Sequence, residues 1–125
     1  MLKEGISHDS YLIVAPSDSA KAQGSGDMEV LATPRLVALM ENAAMLAAAP
    51  SLAEGETTVG SEINITHLAP SAVGVEVVAT AVLQSIEGRK LTFSVSAKEG
   101  DKLIGEGRHV RYIVDRQRFL SKLNK

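Results

Sequence analysis

"LATPRLVALMENAAMLAAAP", Leu31 to Pro50, places two charged side chains, Arg35 and Glu41, among alanine, leucine, valine and methionine. Thr33-Pro34 is a strong helix start. The Thr hydroxyl can cap free backbone N–H groups, and proline suits the first helical position because its missing N–H is not needed there. Ala, Leu and Met then favour helix through about Ala48, and Pro50 stops it. At 100° per residue, Val37, Glu41, Ala44 and Ala48 share one side, while Arg35 and Asn42 lie elsewhere. Too few polar residues remain for a solvent stripe. The pattern predicts a helix buried on most sides, with a carboxylate in its middle and Thr33 opening it.

Beyond "EGE" at Glu54–Glu56 the period changes from helical to two. "TTVGSEINITH" alternates, which puts Val59, Ser61, Ile63, Ile65 and His67 on one face. "AVGVEVVATAVLQSIE" reads as a longer strand entered through Pro70. After a turn at Gly88, "KLTFSVSAK" points Leu91, Phe93, Val95 and Ala97 one way. A turn at Gly100-Asp101 leads into "LIGEGRHVRYIVD", the last strand. Glycine-bearing turns of this length favour antiparallel hairpins, and Gly105 and Gly107 suggest a bulge or a close backbone approach. One apolar helix followed by four consecutive strands implies an α+β architecture, a curved antiparallel sheet wrapped around a long central helix. A single sheet leaves edges uncovered, so a symmetric dimer is expected.

Upstream, "SYLIVAP" is compatible with a short first strand. "SDSAKAQGSGD", Ser17–Asp27, is small and polar, and residues 17–30 are expected to form a mobile loop. The tail, 116–125, is basic and expected to be a solvated end. The 125 residues fit a single domain, 1–125, with a core built from aliphatic side chains. Net charge of −2 gives no reason to expect nucleic acid, and the absence of Trp with only two Phe and two Tyr leaves little for base stacking. There is no cysteine, which excludes disulfides and cysteine metal sites. "YLIVA" is too short to span a membrane. A cytoplasmic location is the expectation.

Glu41 is the first candidate for chemistry, since a carboxylate shielded from water must be hydrogen-bonded, paired or protonated, and such a group suits a general base. Against this stands an ordinary glutamate at a helix edge or subunit boundary. His67 ends an alternating strand on the side of Ile63 and Ile65, where a lone histidine is more often structural than catalytic. Thr33 caps the helix, yet a capping hydroxyl can also face a ligand at the helix start. Gly60 interrupts a strand, either as a bulge or as a backbone N–H able to polarise a carbonyl. Arg111 is an ion-pair partner or a contact for an anionic group. His8, His67 and His109 lack metal-ligand spacing. No Walker loop, dinucleotide fingerprint or Gly-x-Ser-x-Gly elbow occurs.

Together "ATPRLVALMENA", "GETTVGSEINITHLAPS", "SIEGRKLTFSVSA" and "IGEGRHVRYIV" resemble the fluoroacetyl-CoA thioesterase family of the hot dog superfamily, over about residues 30–120. The resemblance matches the family's catalytic Thr–Glu–His set to Thr33, Glu41 and His67, and its glycine and arginine near the site to Gly60 and Arg111. It implies a hot dog fold, a homodimer with acyl-CoA sites near the subunit interface, and hydrolysis of short acyl-CoA thioesters without metal. No cofactor is implied beyond the coenzyme A that is part of the substrate. One departure stands out: the family's fluoroacetate-detoxifying member has lid-forming phenylalanines before the helix, whereas "AKAQGSGDMEV" has no aromatic residue. Fluoroacetyl selectivity is therefore not expected. The rival readings are a non-catalytic acyl-CoA or acyl-carrier binding module on the same fold, and a hot dog dehydratase, which no sequence feature favours.

Overall fold

A computed structural model describes residues 1–124; Lys125, the end of the basic tail, lies outside the described residues. Five strands form one antiparallel sheet: β1 (Ser7–Ile13), β2 (Glu56–His67), β3 (Glu76–Glu87), β4 (Lys90–Glu99) and β5 (Lys102–Asp115), in the order β1-β3-β4-β5-β2. The sheet curls around a 16-residue helix, Thr33–Ala48. The short helices Ala20–Gln23 and Arg116–Ser121 are α1 and α3, so the central helix is α2. The α+β architecture and its wrapped helix match the sequence expectation.

Alanine explains how the helix sits so close to the sheet. Ala43, Ala44, Ala47 and Ala48 are buried beside Leu36 and Met40, against Val77, Ala79, Leu91, Phe93 and Val95. Small side chains on one wall and larger ones on the other let the layers interdigitate at interior density. Gly105 and Gly107 of β5 serve close approach. A Cβ on Gly105 would sit 3.0 Å from Leu36 Cδ2 of the helix, and one on Gly107 would collide with the Asn64 carbonyl oxygen of β2.

Three local details differ from expectation. Thr33 is the first helical residue, the N-cap is Ala32, and no side chain caps the helix; the Thr33 hydroxyl is engaged elsewhere. The pairing of β2 with β5 shifts between Gly60 and Glu62. This bulge at Ser61 reverses the alternation: Thr58 and Gly60 join Ile63, Ile65 and His67 on the helix side, opposite Ile113, Arg111, His109, Gly107 and Gly105, and Val59 turns away. The region expected as a loop contains a 3₁₀ turn, Pro16–Asp18, and α1. Asp18 there accepts from Arg35 Nε at 3.0 Å and from the Ala15 N–H at 2.8 Å, which ties the segment to the start of α2. The tail likewise begins with α3, capped by Asp115, which accepts from the Arg118 N–H. No described helix is long and apolar enough to cross a membrane.

Candidate active site

The five sequence candidates fall into two groups. Helix α2 and strand β2 lie side by side in opposite directions, so the start of the helix meets the end of the strand. Thr33 Oγ1 and His67 Nδ1 are 2.7 Å apart there. Burial pushes the His67 imidazole below its ordinary pKa, opposed by the nearby Ala69 backbone, and its Nε2 is buried without a hydrogen-bond partner. A neutral imidazole beside a hydroxyl, with its second nitrogen unengaged, is equipped to take or give one proton. Beside this pair opens a cleft of about 360 Å³, whose walls include Met28, Leu31, Leu68 and Ala69.

The second group lies eight residues further along α2, about 12 Å at the helical rise. A Cβ built on Gly60 would lie 3.2 Å from His109 Cε1, 3.4 Å from Arg111 Nη1 and 3.6 Å from Glu41 Oε2. The absent side chain leaves room that a carboxylate, a guanidinium and an imidazole all border. Glu41 is half-buried rather than enclosed, and Gly60 is exposed, so the space is open to a ligand. Within one chain, therefore, Thr33 meets His67, and Gly60 meets Glu41 and Arg111, but the two groups do not meet each other.

Arg111 is 7% exposed. Its Nε donates to Thr58 Oγ1 at 2.8 Å, its Nη2 to the Thr58 carbonyl at 2.9 Å, and its Nη1 to His109 Nε2 at 3.2 Å. These acceptors are all uncharged, and among the described residues no carboxylate lies within ion-pair distance of the guanidinium. Burial lowers the Arg111 pKa, while the charge of Glu41 raises it. A buried cation kept without a direct counter-ion is costly to the fold, and such costs concentrate at functional sites.

His109 is the residue that sequence reasoning missed, beyond noting that it lacks metal-ligand spacing. It is 1% exposed, and burial holds its pKa below the ordinary value, a stronger influence than the Glu62 carbonyl that opposes it. The overlooked signal is "HVR": two polar residues two apart put His109 and Arg111 on one face of a strand, and Val110 between them is also buried.

Residues 14–117 match the model of the fluoroacetyl-CoA-specific thioesterase family. The fluoroacetyl-CoA thioesterase of Streptantibioticus cattleyicolor is 42% identical over 97 residues, covering 78% of this chain and 70% of that protein. A solved structure of the fluoroacetyl-CoA thioesterase FlK superposes with a TM-score of 0.92 at 34% identity, covering 99% of this chain and 96% of that one. A thioesterase-superfamily protein of Thermus thermophilus also gives 0.92, at 28% identity, with 99% and 92% covered. The fold is the hot dog fold, the protein is a thioester hydrolase, and the chain belongs to the fluoroacetyl-CoA-specific thioesterase family.

Proposed function

We propose that this protein hydrolyses small acyl-CoA thioesters without a metal, using Thr33, Glu41 and His67, with Gly60 and Arg111 holding the thioester. The observation that carries the reading is the room over Gly60, bordered by Glu41 and Arg111. A thioester carbonyl set there has a carboxylate on one side and a positive charge on the other. The Gly60 N–H and the Arg111 guanidinium stabilise the oxyanion as it develops. Glu41 delivers oxygen to the carbonyl carbon, by activating water or by forming an anhydride that water then opens. His67, steadied by the Thr33 hydroxyl, takes up the proton lost by the attacking water and passes it to the thiolate.

The set closes only if Glu41 and His67 come together, and a second copy of the chain supplies a way. Strand β2 is a sheet edge, and Gly60, Ser61 and Glu62 are exposed along it. The outer face of α2 presents Ala38, Met45 and Leu46 around the exposed Asn42, a mostly apolar surface that a homodimer would bury. Two β2 edges running antiparallel about Asn64, with Ser61 left out of the pairing, bring the partner's His67 toward Gly60 and Glu41.

The test is thiol release from straight-chain acyl-CoAs, acetyl to hexanoyl, with Glu41→Gln and His67→Ala as controls. Loss of turnover by at least about 100-fold in both variants is expected, the scale of a general acid–base group. No turnover by the parent, or full turnover by either variant, overturns the assignment. Heat stabilisation by acyl-CoA without thiol release would instead identify a binding module. Because residues 20–30 carry no aromatic side chain, fluoroacetyl-CoA should be turned over with no large preference over acetyl-CoA.

A further inference from the structure

We propose that His109 is a positioning residue of this thioesterase site, clamping β2 together with Arg111 on the two sides of Gly60 and fixing the direction of the Arg111 guanidinium. The proposal rests on the acyl-CoA hydrolase reading above and extends it to a side chain whose two polar atoms are both engaged by the protein.

Both ring nitrogens of His109 are engaged. Nδ1 lies 2.8 Å from the Glu62 carbonyl oxygen, and Nε2 lies 3.2 Å from Arg111 Nη1. A carbonyl can only accept and a guanidinium can only donate, so Nδ1 carries the hydrogen and Nε2 offers its lone pair. The imidazole is neutral and its tautomer is set by these two partners. Arg111 in turn donates to Thr58 Oγ1 and to the Thr58 carbonyl. Thr58 lies two residues before Gly60 and Glu62 two after it, and the bulge falls between Gly60 and Glu62. Two side chains of β5 thus grip the β2 backbone on either side of the glycine.

The clamp orients Arg111 as well. Three of the five guanidinium N–H groups are committed to Thr58 and His109. The remaining N–H groups belong to the two terminal nitrogens, and Nη1 is held beside Gly60 and near Glu41. Without the His109 acceptor, the guanidinium could pivot about its Thr58 contacts. A space-filling role needs no such pairing: a phenyl ring of similar size would pack as well near Phe93, whose ring centroid is 6.4 Å away.

The experiment compares His109→Phe, which keeps the volume and loses both hydrogen bonds, with His109→Gln, whose amide can donate to Glu62 and accept from Arg111. The best substrate among acetyl- to hexanoyl-CoA is used. His109→Phe is expected to lower kcat roughly 10- to 100-fold with KM changed less, the scale of a small misplacement of a catalytic group, and His109→Gln to recover most of it. In an Arg111→Met background, His109→Phe should add almost nothing, because one acts through the other. Wild-type kcat in His109→Phe, or a full additional loss in the Arg111→Met background, overturns the proposal. If the parent protein releases no thiol, the hydrolase reading fails first, and ¹⁵N NMR of the His109 ring still decides the clamp. A protonated Nδ1 with an Nε2 resonance that moves on Arg111→Met supports it, and a protonated Nε2 refutes it.

Discussion

Gly60 lies where a single methyl group would press on the His109 imidazole and touch the Arg111 guanidinium and the Glu41 carboxylate. Its backbone needs no unusual angle, so Gly60→Ala is a test of space and not of backbone strain. The nearest contact, 3.2 Å to His109 Cε1, requires the ring to give slightly, a cost of about 1 kcal/mol or a few degrees in Tm. Turnover should fall at least about tenfold, since the methyl group occupies the place proposed for the thioester; unchanged kcat/KM would move the substrate elsewhere. Thr33 makes the complementary case. Its hydroxyl does not cap α2, so Thr33→Ala should cost less than the ~1 kcal/mol typical of a lost cap, while turnover drops because His67 loses its partner. The histidines predict a pH response. Burial lowers the pKa of both His67 and His109, so below about pH 6.5, the ordinary value, the unfolded chain binds protons that the folded chain does not. Stability is therefore full above that pH and declines as pH falls toward the folded-state values. Urea midpoints should be lower at pH 5.5 than at 7.5, and His109→Gln should flatten that dependence; an unchanged slope would mean His109 is not held neutral by the fold.

At the scale of elements, what was legible followed from periodicity. The ends of α2 were marked by Thr33-Pro34 and Pro50, and the inward face of β4, Leu91, Phe93, Val95 and Ala97, is fully buried as alternation predicts. The bulge in β2 was not legible, because one extra residue leaves the apolar alternation of Ile63 and Ile65 intact while inverting everything before it. Strict alternation put Val59 and Ser61 beside His67 and left Gly60 on the wrong side. The bulge alone turns Gly60 toward Glu41. His109 escaped for a related reason: a polar residue on a core-facing position looks like a local exception until its partners, Glu62 and Arg111, are seen across the sheet. Deleting Ser61 makes Gly60 and Glu62 direct neighbours opposite Arg111 and Val110, so Thr58 and Gly60 keep the helix side while the local kink is lost. Arg111 keeps both Thr58 acceptors, so we expect urea unfolding within about 1 kcal/mol of the parent, with turnover reduced because the backbone at Gly60 is straightened. A deletion variant with the parent's turnover would show that the kink does not shape the site.

At the scale of the molecule, the separation of the two groups along α2 is the fact that any mechanism must meet. Thr33 and His67 share a hydrogen bond at one end, Glu41 borders Gly60 and Arg111 further along, and a single chain does not join them. If the β2 edges pair as proposed, each site takes Glu41 from one protomer and His67 from the other. Glu41→Gln and His67→Ala homodimers would then both be inactive, each lacking one group in both sites. Mixing them under conditions that let subunits exchange forms heterodimers in which one site collects an intact Glu41 and an intact His67, while the other site collects both substitutions. With random exchange half of the dimers are mixed and half of their sites are whole, so activity should return to roughly one quarter of the parent level. A protein whose sites draw Glu41 and His67 from the same chain gives no recovery under the same exchange, because every chain carries one defect. Light scattering across protein concentration supplies the companion measurement: recovered activity should track the dimer fraction, and a monomer that turns over acyl-CoA would place both groups within one chain after all.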